Sequence, residues 1–142
     1  AAYGKDWESC FSYLSRLSSL CNCDYCNGKG SRQNPAVAKN MKQVTQTAET
    51  FLSVRAAQDK AALPPVQQLF WKHLDYHREY CILLSKALFL LADGRTQEAG
   101  EAWKTFTYYI CSQEDTFQKA LDVYRVVEVS TNYTGFPLIE NF

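Results

Sequence analysis

The sequence predicts an all-α fold, an antiparallel bundle of four to five helices that forms one domain over residues 1–142. Two observations carry this prediction. The chain has only 6 glycines and 4 prolines in 142 residues, too few for a fold rich in β-turns. Its apolar residues recur at intervals of three and four, the period of an α-helix with one buried face. At this length one hydrophobic core is sufficient.

The first helix is predicted over residues 6–20. Asp6 suits an N-cap or a first-turn position, where a carboxylate satisfies free backbone amides. The apolar positions at helical spacing are Trp7, Cys10, Phe11, Leu14, Leu17 and Cys21. Residues 21–35 lack an apolar period and are rich in Gly, Asn and Ser, so they predict a long loop.

The second helix is predicted over residues 36–62, with Asn34 as its cap and Pro35 at its first turn. The third, over residues 65–92, is the clearest element of the sequence. Its predicted buried face begins with Val66, Leu69 and Phe70 and continues for about seven turns. A following Asp-Gly pair predicts a left-handed cap at its end.

A fourth helix is predicted over residues 96–129, antiparallel to the third because the connection is short. No Gly or Pro interrupts its apolar period. Ser112 and Asp115 could, however, restart a capped helix, so two helices are the alternative. Residues 131–142 predict an irregular tail whose apolar side chains dock on the bundle.

Charge and hydropathy exclude two classes of partner. Fifteen basic and fifteen acidic side chains give a net charge of zero without clusters, so we expect no nucleic acid as partner. The longest apolar stretch, residues 80–92, is too short to cross a bilayer and carries Lys86, so we expect no membrane partner. The chain begins without an initiator Met or a signal segment, and we expect it to be a piece of a longer protein.

The six cysteines leave the cellular compartment open, because they fit either reduced thiols or three disulfides. Cys21, Cys23 and Cys26 form a C-x-C-x-x-C motif, and three thiolates on one loop can wrap a tetrahedral metal ion. No obvious fourth ligand lies nearby. A metal site, a loop disulfide and plain thiols are therefore alternatives, of which the sequence favours plain thiols.

His73, His77 and Cys81 are spaced four residues apart and project from one helix face, a geometry that zinc motifs use. The Glu that follows the first His in metalloproteases is absent, and Leu74 stands there. Packed histidines are the favoured interpretation. We thus expect no catalytic residue, no cofactor and no metal, with these two residue sets as the weaker metal alternatives.

Four aromatic residues are the candidates for a sugar-binding site, because such rings can stack on sugars. They are Trp7, Trp71, Trp103 and Tyr108. A glycan would then be a partner. Aromatic side chains at helical intervals more often belong to a core, which is the interpretation that we favour.

Two parts of the chain resemble a known family. Residues 1–19 are similar to a small-aromatic-Gly-x-Asp opening followed by a Tyr-Leu helix, and further likeness lies at residues 71–77, 92–103 and 121–124. These motifs resemble the C-terminal helical domain of large bacterial glycoside-hydrolase-like proteins. Those proteins carry a (β/α)8 barrel akin to hexosaminidase and α-glucuronidase barrels.

The resemblance implies a non-catalytic accessory domain that packs on the barrel domain of its parent protein or mediates association. The catalytic acids would then lie on the parent, which would be a glycoside hydrolase, and we expect no activity of this chain alone. The cysteine loop has no counterpart in the family pattern. The alternative functions are a free-standing helical module that binds a protein or a ligand, and a zinc-binding domain.

Overall fold

The computed structural model describes residues 3–21, 33–57, 62–117 and 120–137. Within these ranges the chain forms five α-helices and no strand, which confirms the predicted all-α bundle. The helices are α1 (Trp7–Cys21), α2 (Pro35–Ala56), α3 (Pro65–Ala92), α4 (Thr96–Ser112) and α5 (Val123–Thr134). A short 3-10 turn, Gly4–Asp6, precedes α1.

Contacts between side chains show how neighbouring helices run relative to each other. Tyr13 of α1 stacks on Phe51 of α2, while Phe51 also stacks on Trp71 of α3. In turn, Tyr80 of α3 meets Phe106 of α4 edge to face at 5.2 Å. The Asn40 side chain of α2 also donates to the Leu20 carbonyl at the end of α1, and Tyr76 of α3 stacks on Tyr109 of α4. The helices α1 to α4 therefore run antiparallel in sequence, and Tyr13 of α1 also meets His77 of α3.

One hydrophobic core draws residues from all five helices. Its largest fully buried side chains are Trp71, Trp103 and Phe106. Because the core is built mainly from α2, α3 and α4, α1 and α5 each cover only one side of it. This arrangement leaves parts of α3 beside α1 and α5 open, and the candidate sites lie there.

The helix starts and ends that have a strong capping residue agree with the prediction. The Asn34 side chain accepts a hydrogen bond from the Ala36 amide at 2.9 Å, and Pro35 opens α2. The bounds of α3 coincide with the predicted ones, and Gly94 adopts a φ of 81° after its end. The first helix is displaced by one residue, because Asp6 lies in the 3-10 turn.

The predicted end of the second helix at residue 62 is wrong. α2 ends at Ala56, and the Ala57 amide closes the last turn on the Ser53 carbonyl at 3.1 Å. A helix to residue 62 would leave only Leu63 and Pro64 to reverse the chain into the antiparallel α3. Residues 58–61 lie outside the described part of the chain.

A single helix over residues 96–129 is also wrong. α4 ends at Ser112, and α5 begins at Val123, where the Asp122 side chain accepts from the Arg125 amide at 2.9 Å. The second helix thus begins at Val123, eleven residues beyond Ser112. The reversal returns α5 along α4, so that Phe136 can stack on Trp103 at 4.8 Å.

The tail is irregular from Gly135 rather than from residue 131. α5 continues to Thr134, and Gly135 ends it in the left-handed conformation with a φ of 71°. Docking of the tail is confirmed for Phe136, which is buried, and the Trp103 indole donates a hydrogen bond to the Pro137 carbonyl at 2.9 Å. Residues 138–142 lie outside the described ranges.

No helix among the residues that the structure describes is long and apolar enough to span a membrane.

Candidate functional site

One side of α1 is apolar and uncovered, although the sequence predicted part of it as buried. The buried face of α1 consists of Cys10, Tyr13, Leu17 and Leu20. Trp7, Phe11 and Leu14 instead are 53%, 67% and 37% exposed. The hydroxyl-rich flank of α1 borders the groove with α2, and these three side chains lie on a different flank of the helix.

The first turns of α3 are exposed as well, which corrects the predicted buried face. Val66, Leu69 and Phe70 are 64%, 54% and 42% exposed. The Tyr3 ring, just before α1, lies 6.0 Å from the Phe70 ring, which places the starts of α1 and α3 at one end of the bundle. We name the six side chains on these two helices the α1–α3 apolar surface.

A second feature is a groove between α3 and α5, here called the α3–α5 groove, with a volume of about 410 Å³. It exists because α5 packs on α4 more closely than on α3. The groove is lined by Tyr76, His77, Tyr80, Ala120, Leu121, Asp122, Arg125, Val126, Val129 and Ser130. Its volume lies in the usual range for small-molecule sites.

The predicted set His73, His77 and Cys81 does not converge. His77 and Cys81 are neighbours, with Sγ 3.7 Å from Nε2 of the histidine. His73 turns away: its Nδ1 lies 2.8 Å from the Leu69 carbonyl oxygen, and its ring contacts Phe117. The packed interpretation of the three side chains fits this geometry.

Burial sets the protonation of His77, which lines the groove, and of Cys81 beside it. It lowers the pKa of His77, so the imidazole is neutral near pH 7. Burial likewise raises the pKa of the Cys81 thiol to about 12, which keeps this thiol protonated and a weak nucleophile. Neither side chain has the shift expected of an activated nucleophile and its base.

The cysteine motif is only partly described. Cys21 is the last residue of α1 and is exposed, whereas Cys23 and Cys26 lie outside the described residues. Among the residues that the structure does describe, no group of three His, Cys, Asp or Glu side chains could hold a metal ion. The predictions about the cysteine loop stay predictions.

The four aromatic residues considered for sugar stacking do not form one site. Trp71 and Trp103 are fully buried in the core. Trp7 and Tyr108 are both 53% exposed, but they lie on α1 and α4, which make no extensive contact with each other.

A larger open groove, of about 830 Å³, lies between α1 and α2. Its walls carry mainly Ser, Thr and Gln side chains, and Arg16 is already bonded to Gln43 at 2.9 Å. Its aromatic floor, Tyr13 and Phe51, is only 4% and 7% exposed. Because such walls stay hydrated, this groove offers a ligand less apolar surface than the α3–α5 groove.

Sequence reasoning missed the α3–α5 groove. The sequence does not single out Tyr76, Tyr80, Val126 or Val129 as site residues. The signal that could have found it is Asp122, whose type and position before an apolar stretch favour a helix start. A helix restarting there implies a reversal and a new interhelical groove.

No family model matches this chain, and comparisons with curated proteins and with solved structures found no significant match. The resemblance to the helical domain of glycoside-hydrolase-like proteins therefore stays a prediction.

Proposed function

We propose that this chain is a non-catalytic helical accessory domain of a larger, glycoside-hydrolase-like protein, and that it packs on the barrel domain or mediates association. One observation supports this proposal above others, namely the α1–α3 apolar surface. Large apolar side chains that are exposed in this number on two helices are typical of a surface that another domain covers. The proposed type of parent protein rests on the resemblance of the motifs at residues 1–19 and 71–77.

The size of this surface suits a domain interface. With aromatic side chains of roughly 200 Å² each, covering Trp7 and Phe11 would bury about 250 Å² more. At about 25 cal/mol per Å², this burial contributes about 6 kcal/mol before the costs of association. Truncating both rings should therefore weaken docking strongly.

The test uses the full-length protein that contains this chain. Its coding sequence should include an upstream barrel, and the separately expressed barrel and helical parts should copurify. Trp7→Ser combined with Phe11→Ser should weaken this association more than tenfold. Leu52→Ser is the matched control, because Leu52 is 47% exposed on α2, outside the α1–α3 apolar surface.

Two outcomes would reject the proposal. A parent protein without a barrel would reject the barrel domain as the partner. If the double variant, the Leu52→Ser control and the wild type associate equally well, the α1–α3 apolar surface is not the docking surface.

A second candidate function is a free-standing helical module that binds a ligand, and the α3–α5 groove favours it. A zinc-binding domain is the third candidate. Elemental analysis of the purified chain tests the latter, because a structural site would retain one zinc per chain.

A further inference from the structure

The α3–α5 groove has a shape that a flat ligand can enter. α3 supplies three ring side chains, Tyr76, His77 and Tyr80, and the rings of the last two are stacked with 13° between their planes. Val126 and Val129 form the facing wall on α5. Rings on one side and branched aliphatic groups on the other allow both stacking and edge contacts with an inserted aromatic ring.

The charged groups at the groove are already engaged. The Asp122 carboxylate caps α5 by accepting from the Arg125 amide. The Arg125 guanidinium is paired with Glu128. With His77 neutral near pH 7, a charged ligand would lose hydration without gaining a free counter-charge.

The polar groups of the groove are few. The Tyr80 and Ser130 hydroxyls lie 3.3 Å apart and bond to each other. The exposed lining of the groove is mainly apolar, so complementarity favours an apolar ligand with at most a weak polar group.

We propose that the α3–α5 groove binds one small, uncharged aromatic molecule between the ring side chains of α3 and the valines of α5. This proposal goes beyond the accessory-domain function and does not depend on it, because it uses a different surface.

The neutral dye N-phenyl-1-naphthylamine serves as the probe, and fluorescence titration measures its binding to the whole chain. Binding should saturate at one dye per chain, with a dissociation constant on the order of tens of micromolar for a ligand of this size. The sulfonated analogue 8-anilinonaphthalene-1-sulfonate should bind at least tenfold more weakly. Equal binding of the two dyes would refute the requirement for an uncharged ligand.

Val129→Trp fills the groove from its 48% exposed wall and should weaken dye binding at least tenfold. Leu52→Trp enlarges a side chain that is 47% exposed on α2, outside the groove and the α1–α3 apolar surface, and should leave dye binding unchanged. Circular dichroism checks that both variants keep the helical fold. Dye affinity that is unaffected by Val129→Trp would overturn the proposal.

A measurement on the wild type keeps the proposal testable if Val129→Trp does not fold. In amide NMR spectra, the dye should shift signals of residues 76–80 and 126–130. Shifts centred on Trp7, Phe11 and Phe70 would overturn the proposal and would assign dye binding to the α1–α3 apolar surface instead. Non-saturable shifts spread over the chain would overturn it too.

Discussion

Removing the Cys81 thiol should make the protein less sensitive to alkaline conditions. Cys81 lies on α3 under α1, where its Sγ contacts the His77 ring. Burial raises the pKa of this thiol from an ordinary value of 9.0 to about 12, and an interaction with the Tyr13 side chain opposes that effect. The unfolded chain therefore releases the Cys81 proton at lower pH than the folded chain does.

The sign and the size of the effect follow from linkage. Because the folded-state pKa is raised, the free energy of unfolding is unaffected below pH 9 and falls as the pH rises toward 12. At pH 10 the unfolded thiol is mostly ionised and the folded thiol is not, which costs about 1.4 kcal/mol. Cys81→Ala should lose stability between pH 8 and pH 10 by that much less than the wild type.

Urea denaturation followed by circular dichroism at pH 8 and pH 10, in the presence of a reductant, measures this difference. With a slope of about 2 kcal/mol per molar urea, the midpoint should change by about 0.7 M more for the wild type. Val66→Ala, an exposed change on α3 without a titrating group, should behave as the wild type. Equal losses for the wild type and Cys81→Ala would refute the buried, protonated thiol, because they would mean that its pKa is the same in the folded and the unfolded chain.

Three further predictions concern the fold and its histidine. Trp103→Ala removes a side chain that is 1% exposed and should lower the free energy of unfolding, measured in urea, by about 3–5 kcal/mol. Tyr108→Ala, an exposed change on the same helix, should lower it by less than about 1 kcal/mol. Equal losses for the two variants would contradict the buried position of Trp103. Gly135→Ala puts a side chain at a φ of 71° and should cost about 1–2 kcal/mol, seen as a lower Tm, and an unchanged Tm would contradict the left-handed end of α5. Burial lowers the pKa of His77 from 6.5, so stability should fall as the pH drops below about 6.5 toward the folded-state pKa. His77→Gln should show a shallower fall from pH 7 to pH 5 in thermal unfolding, and a slope equal to that of the wild type would exclude this histidine as the cause.

Local signals predicted most of the helical elements correctly. Asn34 caps the start of α2 with its side chain, and Pro35 has a fixed φ that suits the first turn. Gly94, after Asp93, ends α3 with a left-handed φ. They need no distant partner, so their positions can be read from the sequence. The end of α2 carries no such residue, and the need to reverse the chain before Pro64 decided it.

The burial of each helix face was predicted less well than the helix itself. The apolar residues of α1 cover more than one flank, and the pattern does not tell which flank packs. In the structure Tyr13 and Leu20 are buried, whereas Phe11 is largely exposed. Similarly, Val66 belongs to the apolar face of α3, but no described element reaches it.

The sequence alone determined that the chain is helical, where α3 begins and ends, and that His73, His77 and Cys81 share one helix face. These properties depend on residues within a few turns of one another. Only the tertiary structure decided that α5 folds back along α4 and opens the α3–α5 groove, and that His73 contacts Phe117 while His77 lies beside Cys81. The physical reason is that a groove is the space left between helices, and this space depends on contacts between distant residues such as Trp103 and Phe136.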